Sequence, residues 1–253
     1  MSFLEFQNLF YYFIIYSFLG WCLEVVYHIF TEKKFINRGF LHGPLCPIYG
    51  SCGALLAYFV KPVQHNYILV FLVGAVIASI VEYIAGYVLE HLFGARWWDY
   101  SEEKFNLKGY ICLKFSLIWG FISIFILNIV QPRIEGFVAS IPHTLFQAFF
   151  VVLMILFVAD FCLTINDLIT FKKLLGELNY IANGFKENFK GMKKEFVEEA
   201  RLNNLKKYEN SARRRLSRRH KKLLKAYPNI TSERFNHVIK YIKTKKAIID
   251  KKN

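Results

Sequence analysis

Proline is scarce, with six residues in 253, so few positions in this chain force a helix to stop. The five cysteines, Cys22, Cys46, Cys52, Cys112 and Cys162, are odd in number, lie in or beside apolar runs and form no CxxC pair. That spacing argues against a disulfide framework and a paired thiolate metal site. Their expected role is that of small apolar residues packed in a helical bundle. There is no G-x-x-x-x-G-K-[ST] phosphate loop, no HExxH and no GxSxG. The chain therefore carries no ATPase of the P-loop kind and neither of those hydrolase signatures. No basic leader precedes the first apolar run, which opens with Glu5 and is too long for a cleaved signal; it is expected to be a retained span. No metal and no cofactor is expected.

What is abundant is apolar surface. Hydrophobic residues make up 55% of the chain and aromatics 18%, with 26 Phe and 15 Tyr. Disorder is excluded because it needs low hydrophobicity, and the apolar runs are too long for a soluble globular domain. A spanning helix needs roughly 20 mainly apolar residues, and residues 6–30, 67–93, 113–131 and 143–165 approach or exceed that. Residues 47–60 reach only about 21 Å of a roughly 30 Å hydrocarbon layer unless residues 41–46 extend them, so this segment either spans or re-enters.

Charge decides between those options. Residues 1–170 hold nine Lys/Arg and eleven Asp/Glu, net −2, whereas residues 171–253 hold 24 and eight, net +16, which together give the chain's +14. A basic tail of that size stays cytoplasmic. Five spans then put the amino terminus outside and Lys33, Lys34, Arg38, Arg96, Lys104 and Lys108 on the inner side, with Lys61 and Arg133 outside. A re-entrant second segment would leave Lys33, Lys34, Arg38 and Lys61 facing outward. The expected fold is an all-α polytopic transmembrane helical bundle of about five spans, residues 1–168, followed by a basic cytoplasmic helical tail, residues 169–253, in the cell membrane.

Ionisable groups inside the hydrocarbon cost several kcal/mol unless paired or hydrated. Glu24, Glu82, Glu90 and Asp160 all fall in the cytoplasmic half of their expected helices, with Arg38, Arg96, Lys108 and Lys114 in or beside the inner connections. Glu82, Gly86 and Glu90 recur every four residues, which stacks the carboxylates on one side with room at Gly86 for a neighbour's backbone or a ligand. Two arrangements are open: structural ion pairs that hold the bundle together, or a polar cavity facing the cytoplasm. Glu24 and His28 also share a helix face, which allows acid–base or metal chemistry, although an interfacial His is more often structural.

Two loops stand beside these groups. Residues 37–50 contain three glycines and two prolines, cannot form a continuous helix, and expose backbone groups tolerated near a membrane only where protein or water covers them. Residues 96–109 set Trp97, Trp98 and Tyr100 among polar side chains, as membrane anchors or as part of a site.

The sequence resembles the bacterial family of CmpB-type putative ABC-transporter permeases. The resemblance rests on Gly20-Trp21-Cys22-Leu23-Glu24, the 37–50 loop, Glu82-Tyr83, Glu90, Trp98-Asp99-Tyr100-Ser101, Phe105-Asn106-Leu107-Lys108-Gly109 and Cys112, and covers roughly the first 165 residues. It implies a membrane component of a solute permease, with a separate ATPase subunit or a homo-oligomer as partner. The candidate solute-binding groups are Glu24, Arg38, Glu82, Glu90, Asp99, Tyr100, Asn106 and Lys108. Trp21, Trp97, Trp98, Lys114 and Asp160 are expected to be structural or interfacial. A membrane enzyme acting on a lipid headgroup or polyprenyl-linked substrate, and a non-catalytic scaffold recruiting a partner through its tail, are the alternatives.

The tail is read as helices broken near Gly184, Gly191 and Pro228. Leu205, Ala212, Leu216 and Leu223 lie near one stripe, and a final helix capped by Thr231 or Ser232 has Phe235, Val238, Ile239, Ile242 and Ile249 on one face, which wants a partner or a membrane. The basic run 213–222 suits anionic inner-leaflet lipid. Nucleic acid is disfavoured for want of a zinc spacing, an RNA-binding strand signature or a helix-turn-helix. The sequon Asn229-Ile230-Thr231 should be unused on the cytoplasmic side.

Overall fold

A computed structural model describes residues 1–33, 39–188, 216–226, 230–232, 235 and 238–239. The chain forms two compact units, Met1–Val88 with Trp98–Thr164, and Leu89–Trp97 with Ile165–Asn253. Arg38, the cluster at 213–215, Leu205, Ala212, Ile242, Ile249 and Asn229, all singled out from the sequence, lie outside the described residues.

In the first unit, α1 spans Phe3–Glu32 and opens with a capping box: Ser2 Oγ accepts from Glu5 N and Glu5 Oε2 accepts from Ser2 N, so two otherwise orphaned donors are satisfied. The short α2, Pro47–Phe59, starts with proline in its first turn, where a missing N–H costs nothing. α3 is Tyr67–Phe93 and α4 is Leu113–Phe125. α4 continues through a π-helical turn, Ile126–Val130, into α5, Gln131–Ala139. Pro132 sits one residue into α5 and cannot donate to the preceding turn, and a widened turn accommodates that loss. α6 is His143–Asn188.

Side-chain register gives the direction of each helix. Gly20 meets Tyr49 and Gly53 meets Tyr16, so α1 and α2 are antiparallel. Gly74 meets Ser123 while Ser79 bonds Ser116, so α3 and α4 are antiparallel. Phe10 packs on Phe150, Phe13 on Phe157, and the amides of Gln7 and Gln147 bond each other, so α1 and α6 are parallel. Among the described residues, four helices are long and apolar enough to cross a membrane: Phe3–Thr31, Tyr67–Phe93, Leu113–Ala139 and His143–Tyr180. The fifth expected span is a 13-residue helix, about 20 Å at 1.5 Å per residue. Residues 41–46 do not lengthen it, because they are irregular backbone; Gly43 and Pro44 oppose a continuous helix there.

Small residues let the helices approach. Gly50 leaves no room for a Cβ between itself, Ser17 Oγ and the Phe13 carbonyl, and Gly53 lies as close to the Tyr16 ring. Where lipid offers no hydrophobic drive for association, such contacts supply the packing. One apolar cluster joins Phe10, Tyr11, Tyr16, Ile134, Val138, Phe146 and Phe150, and a second joins Leu56, Val60, Val70 and Leu127.

The second unit contains the end of α3, the end of α6 and α7, Arg218–Ala226. Thr231 and Arg96 exchange backbone hydrogen bonds of 2.8 and 3.0 Å, Lys172 Nζ donates to the Leu92 carbonyl, and Ser232 Oγ donates to the Gly94 carbonyl. Gly94 has φ +68°, the left-handed geometry that ends a helix at little steric cost in glycine. Ser232 Oγ also accepts from Phe235 N, as a helix cap does. Leu216, Leu223, Phe235, Val238 and Ile239 are buried in the protein; at these positions the apolar face expected to need a partner or a membrane is already covered. His220 is buried, receives Ser217 N on Nδ1 and lies 3.3 Å from the Asp167 carbonyl through Nε2. Only the neutral tautomer with the proton on Nε2 satisfies both contacts, and burial pushes its pKa down, partly opposed by Asp167.

Gly50→Val is expected to destabilise the detergent-solubilised protein by about 1–3 kcal/mol through overpacking against α1, read as a lowered Tm. Because the folded His220 resists protonation, stability of the second unit holds above an ordinary histidine pKa of about 6.5 and falls as pH drops through and below it. Faster amide exchange in α7 at pH 5 than at pH 8, with the difference shrinking in His220→Phe, is the expected result.

Candidate functional site

Within the first unit two acid–phenol pairs meet. Tyr49, at the start of α2, donates its hydroxyl to Glu24 Oε1 on α1 at 2.5 Å. Tyr100, in the connection after α3, donates to Glu82 Oε1 on α3 at 3.0 Å. Both pairs lean on α4, where their ring partners Phe115 and Trp119 are one helical turn apart. Aromatic rings back them. Tyr49 lies edge-on to Trp119 with centroids 6.0 Å apart, and Tyr100 stacks on Phe115 at 4.7 Å. Burial above all, then the charge of Glu82, holds the Tyr100 proton on well above the usual phenol range, so this hydroxyl stays a donor.

Glu82 is 8% exposed, and its second oxygen, Oε2, has no hydrogen-bond partner. A buried carboxylate oxygen left without a donor is costly.

The connection after α3 is built to deliver Tyr100. A two-stranded ladder pairs β1, Asn106–Leu107, with β2, Ile111–Cys112. Its turn places Lys108 and Gly109 at φ 54° and 73°, the positive values a tight hairpin demands. Gly109 then accepts from Tyr100 N at 2.8 Å. Asn106 donates to the Ser101 and Glu103 carbonyls and accepts from Gly109 N, and Asp99 accepts from Ser101. Asn106 therefore shapes the loop, Asp99 braces its start, and Lys108 is exposed at the turn.

Among the described residues, Glu90 and Lys114 each have a charged partner. Glu90 belongs to the second unit, where Arg96 Nε donates to it at 2.7 Å. Lys114 pairs with Glu103 at 3.0 Å. Gly86 is filled by the Tyr110 ring, with Trp98 beside it, so the space between Glu82 and Glu90 holds side chains. Trp98 Nε1 donates to the Tyr110 carbonyl, Trp97 is buried, and Trp21 stacks on Phe18. His28 is buried with its ring edge-on to Tyr27. No group of three or more metal-ligating side chains occurs among the described residues.

Asp160, on α6, holds the broken backbone ahead of α2. Its two oxygens accept from His42 N and Gly43 N, each at 2.8 Å, and His42 Nδ1 and Thr164 Oγ1 complete the cluster at 3.2 and 3.3 Å. A carboxylate receiving successive backbone N–H groups is a strong, charge-assisted arrangement. Cys46 N, at the end of the loop, reaches the Ser17 carbonyl.

Several of these residues carry no signal of their own in the sequence. Tyr49 and His42 lie inside the loop noted for its glycines, but their partners are 25 and 118 residues away. A second polar chain was also missed: Tyr16 OH donates to Gln131, Gln131 to Glu135, and Lys61 to Glu135. The Gln131-Pro132 step interrupting an apolar run was the available hint.

Long apolar helices define a polytopic helical membrane protein, with two acid–phenol pairs among its helices. The chain belongs to the family described as Putative ABC-transporter type IV, whose model matches residues 11–165. That stretch contains both pairs and the Asp160-anchored loop. Comparison with curated proteins and with solved structures gives no match.

Asp160→Ala should free the 39–46 backbone. Hydrogen bonds to a charged group contribute roughly 1.5–3 kcal/mol each, so maleimide labelling of the buried Cys46 should accelerate about tenfold or more; labelling at the wild-type rate would contradict this anchoring role.

Proposed function

We propose that the first unit is the membrane-embedded permease component of a transport system, and that it binds a small polar or ionic solute at Glu24 and Glu82. The observation that carries this reading is Glu82 Oε2, buried without a hydrogen-bond partner. Ionisable groups kept inside a membrane bundle commonly mark substrate or ion pathways. Tyr49 and Tyr100 position the carboxylates, the hairpin with Asp99, Asn106 and Lys108 sets Tyr100, and Arg38 is the candidate counter-charge.

Energy from ATP would come from a separate subunit, since this chain has no phosphate loop of its own. The alternating helix directions suit an odd number of segments, and the positive-inside rule puts the second unit in the cytoplasm and the amino terminus outside. There the cationic α7 and its flanks would face anionic lipid.

The test is thermal stability of the purified protein against a panel of small amines, amino acids, carboxylates and sugars. At least one should raise the Tm of wild type, and Glu82→Gln and Glu24→Gln should lose that response while keeping their helical content. Undiminished stabilisation in both variants would remove these acids from the site.

A further inference from the structure

Resting on that solute-site reading, we infer that the solute is a small organic cation of the alkylammonium class, held by Glu82 and by the aromatic rings beside it. The two described carboxylates at the centre, Glu24 and Glu82, each receive a tyrosine hydroxyl. Those hydroxyl protons are committed to carboxylates, so they are not on offer to an anion. Glu82 Oε2, buried without a hydrogen-bond partner, still demands a donor. An ammonium N–H supplies it and brings the opposite charge, forming a charge-assisted hydrogen bond.

The walls fit the same class. Tyr49, which bonds Glu24, packs edge-on to Trp119, and Tyr100, which bonds Glu82, stacks on Phe115, so each acid has a pair of aromatic rings behind its phenol. Aromatic faces attract a cation through their quadrupole, most strongly where water is excluded, and aromatic cages are the recurrent means of holding alkylated ammonium groups. A bare metal ion fits less well. Hard cations take six or more oxygen ligands, whereas the described residues here provide two carboxylates and two phenols, and no cluster of three metal-ligating side chains.

The experiment titrates the full chain in detergent with methylammonium and with choline chloride, using sodium acetate and glucose at matched ionic strength as anionic and neutral controls. Binding is followed by tryptophan fluorescence and by Tm. The ammonium probes should saturate, acetate and glucose should not, and Glu82→Gln should weaken the apparent affinity about tenfold or more, as loss of a charged hydrogen bond does. Should that variant fail to fold, Trp119→Leu leaves both carboxylates in place and should weaken choline more than methylammonium. Saturation by acetate or glucose alone overturns the cation class and leaves the solute site standing. Ammonium binding equally strong in Glu82→Gln and Trp119→Leu overturns the assignment of these residues. No response to the ammonium probes, while another panel solute stabilises wild type in a Glu82-dependent way, again overturns only the class. Absence of any response across all probes overturns both readings.

Discussion

Backbone that leaves the helix at membrane depth must find its hydrogen bonds in protein, and the carboxylate of Asp160 meets that demand for His42 and Gly43. The rest of the first unit depends on this anchor. With the loop held, Cys46 N reaches the Ser17 carbonyl and α2 starts beside the middle of α1. Gly50 and Gly53 then press into α1, and Tyr49 arrives at Glu24. A full-length helix in place of the loop and α2 would carry Tyr49 elsewhere and leave Glu24 without this donor.

At the polar centre each of two acids receives a tyrosine hydroxyl. A tyrosine hydroxyl offers one donor and little net charge, and the second oxygen of Glu82 has no hydrogen-bond partner. A buried ion pair would neutralise the acid and tend toward a purely structural contact. Arg96 and Lys114 show that outcome, being matched to Glu90 and Glu103 respectively. The second unit has its own logic: it closes on the last turn of α3 through Lys172, Thr231 and Ser232, and its apolar positions Val238 and Ile239 are buried.

Much of the fold was legible because bilayer thickness sets a length that apolar runs either meet or miss. The four long helices are evident from hydropathy, and the glycines and prolines of residues 37–50 announce a break. Glu24 and Glu82 were legible as acids out of place. Their tyrosine partners were not, because helical spacing reports which residues share a face and not which neighbour that face meets. Gly86 illustrates the difference: spacing marks it as an opening, and packing fills it with Tyr110. Asp99, Asn106 and Lys108 carry a motif whose visible work is to shape a hairpin, an outcome that depends on positive φ values no composition reveals.

Composition, hydropathy and the split in charge thus determined by themselves that this is a helical membrane protein with a basic second unit, since those properties follow from transfer free energies summed along the chain. The tertiary structure alone decided which carboxylate caps a loop, which receives a tyrosine and which is neutralised by arginine. Those outcomes rest on contacts between residues as far apart as 118 positions, set by packing of glycines and rings that local sequence does not encode.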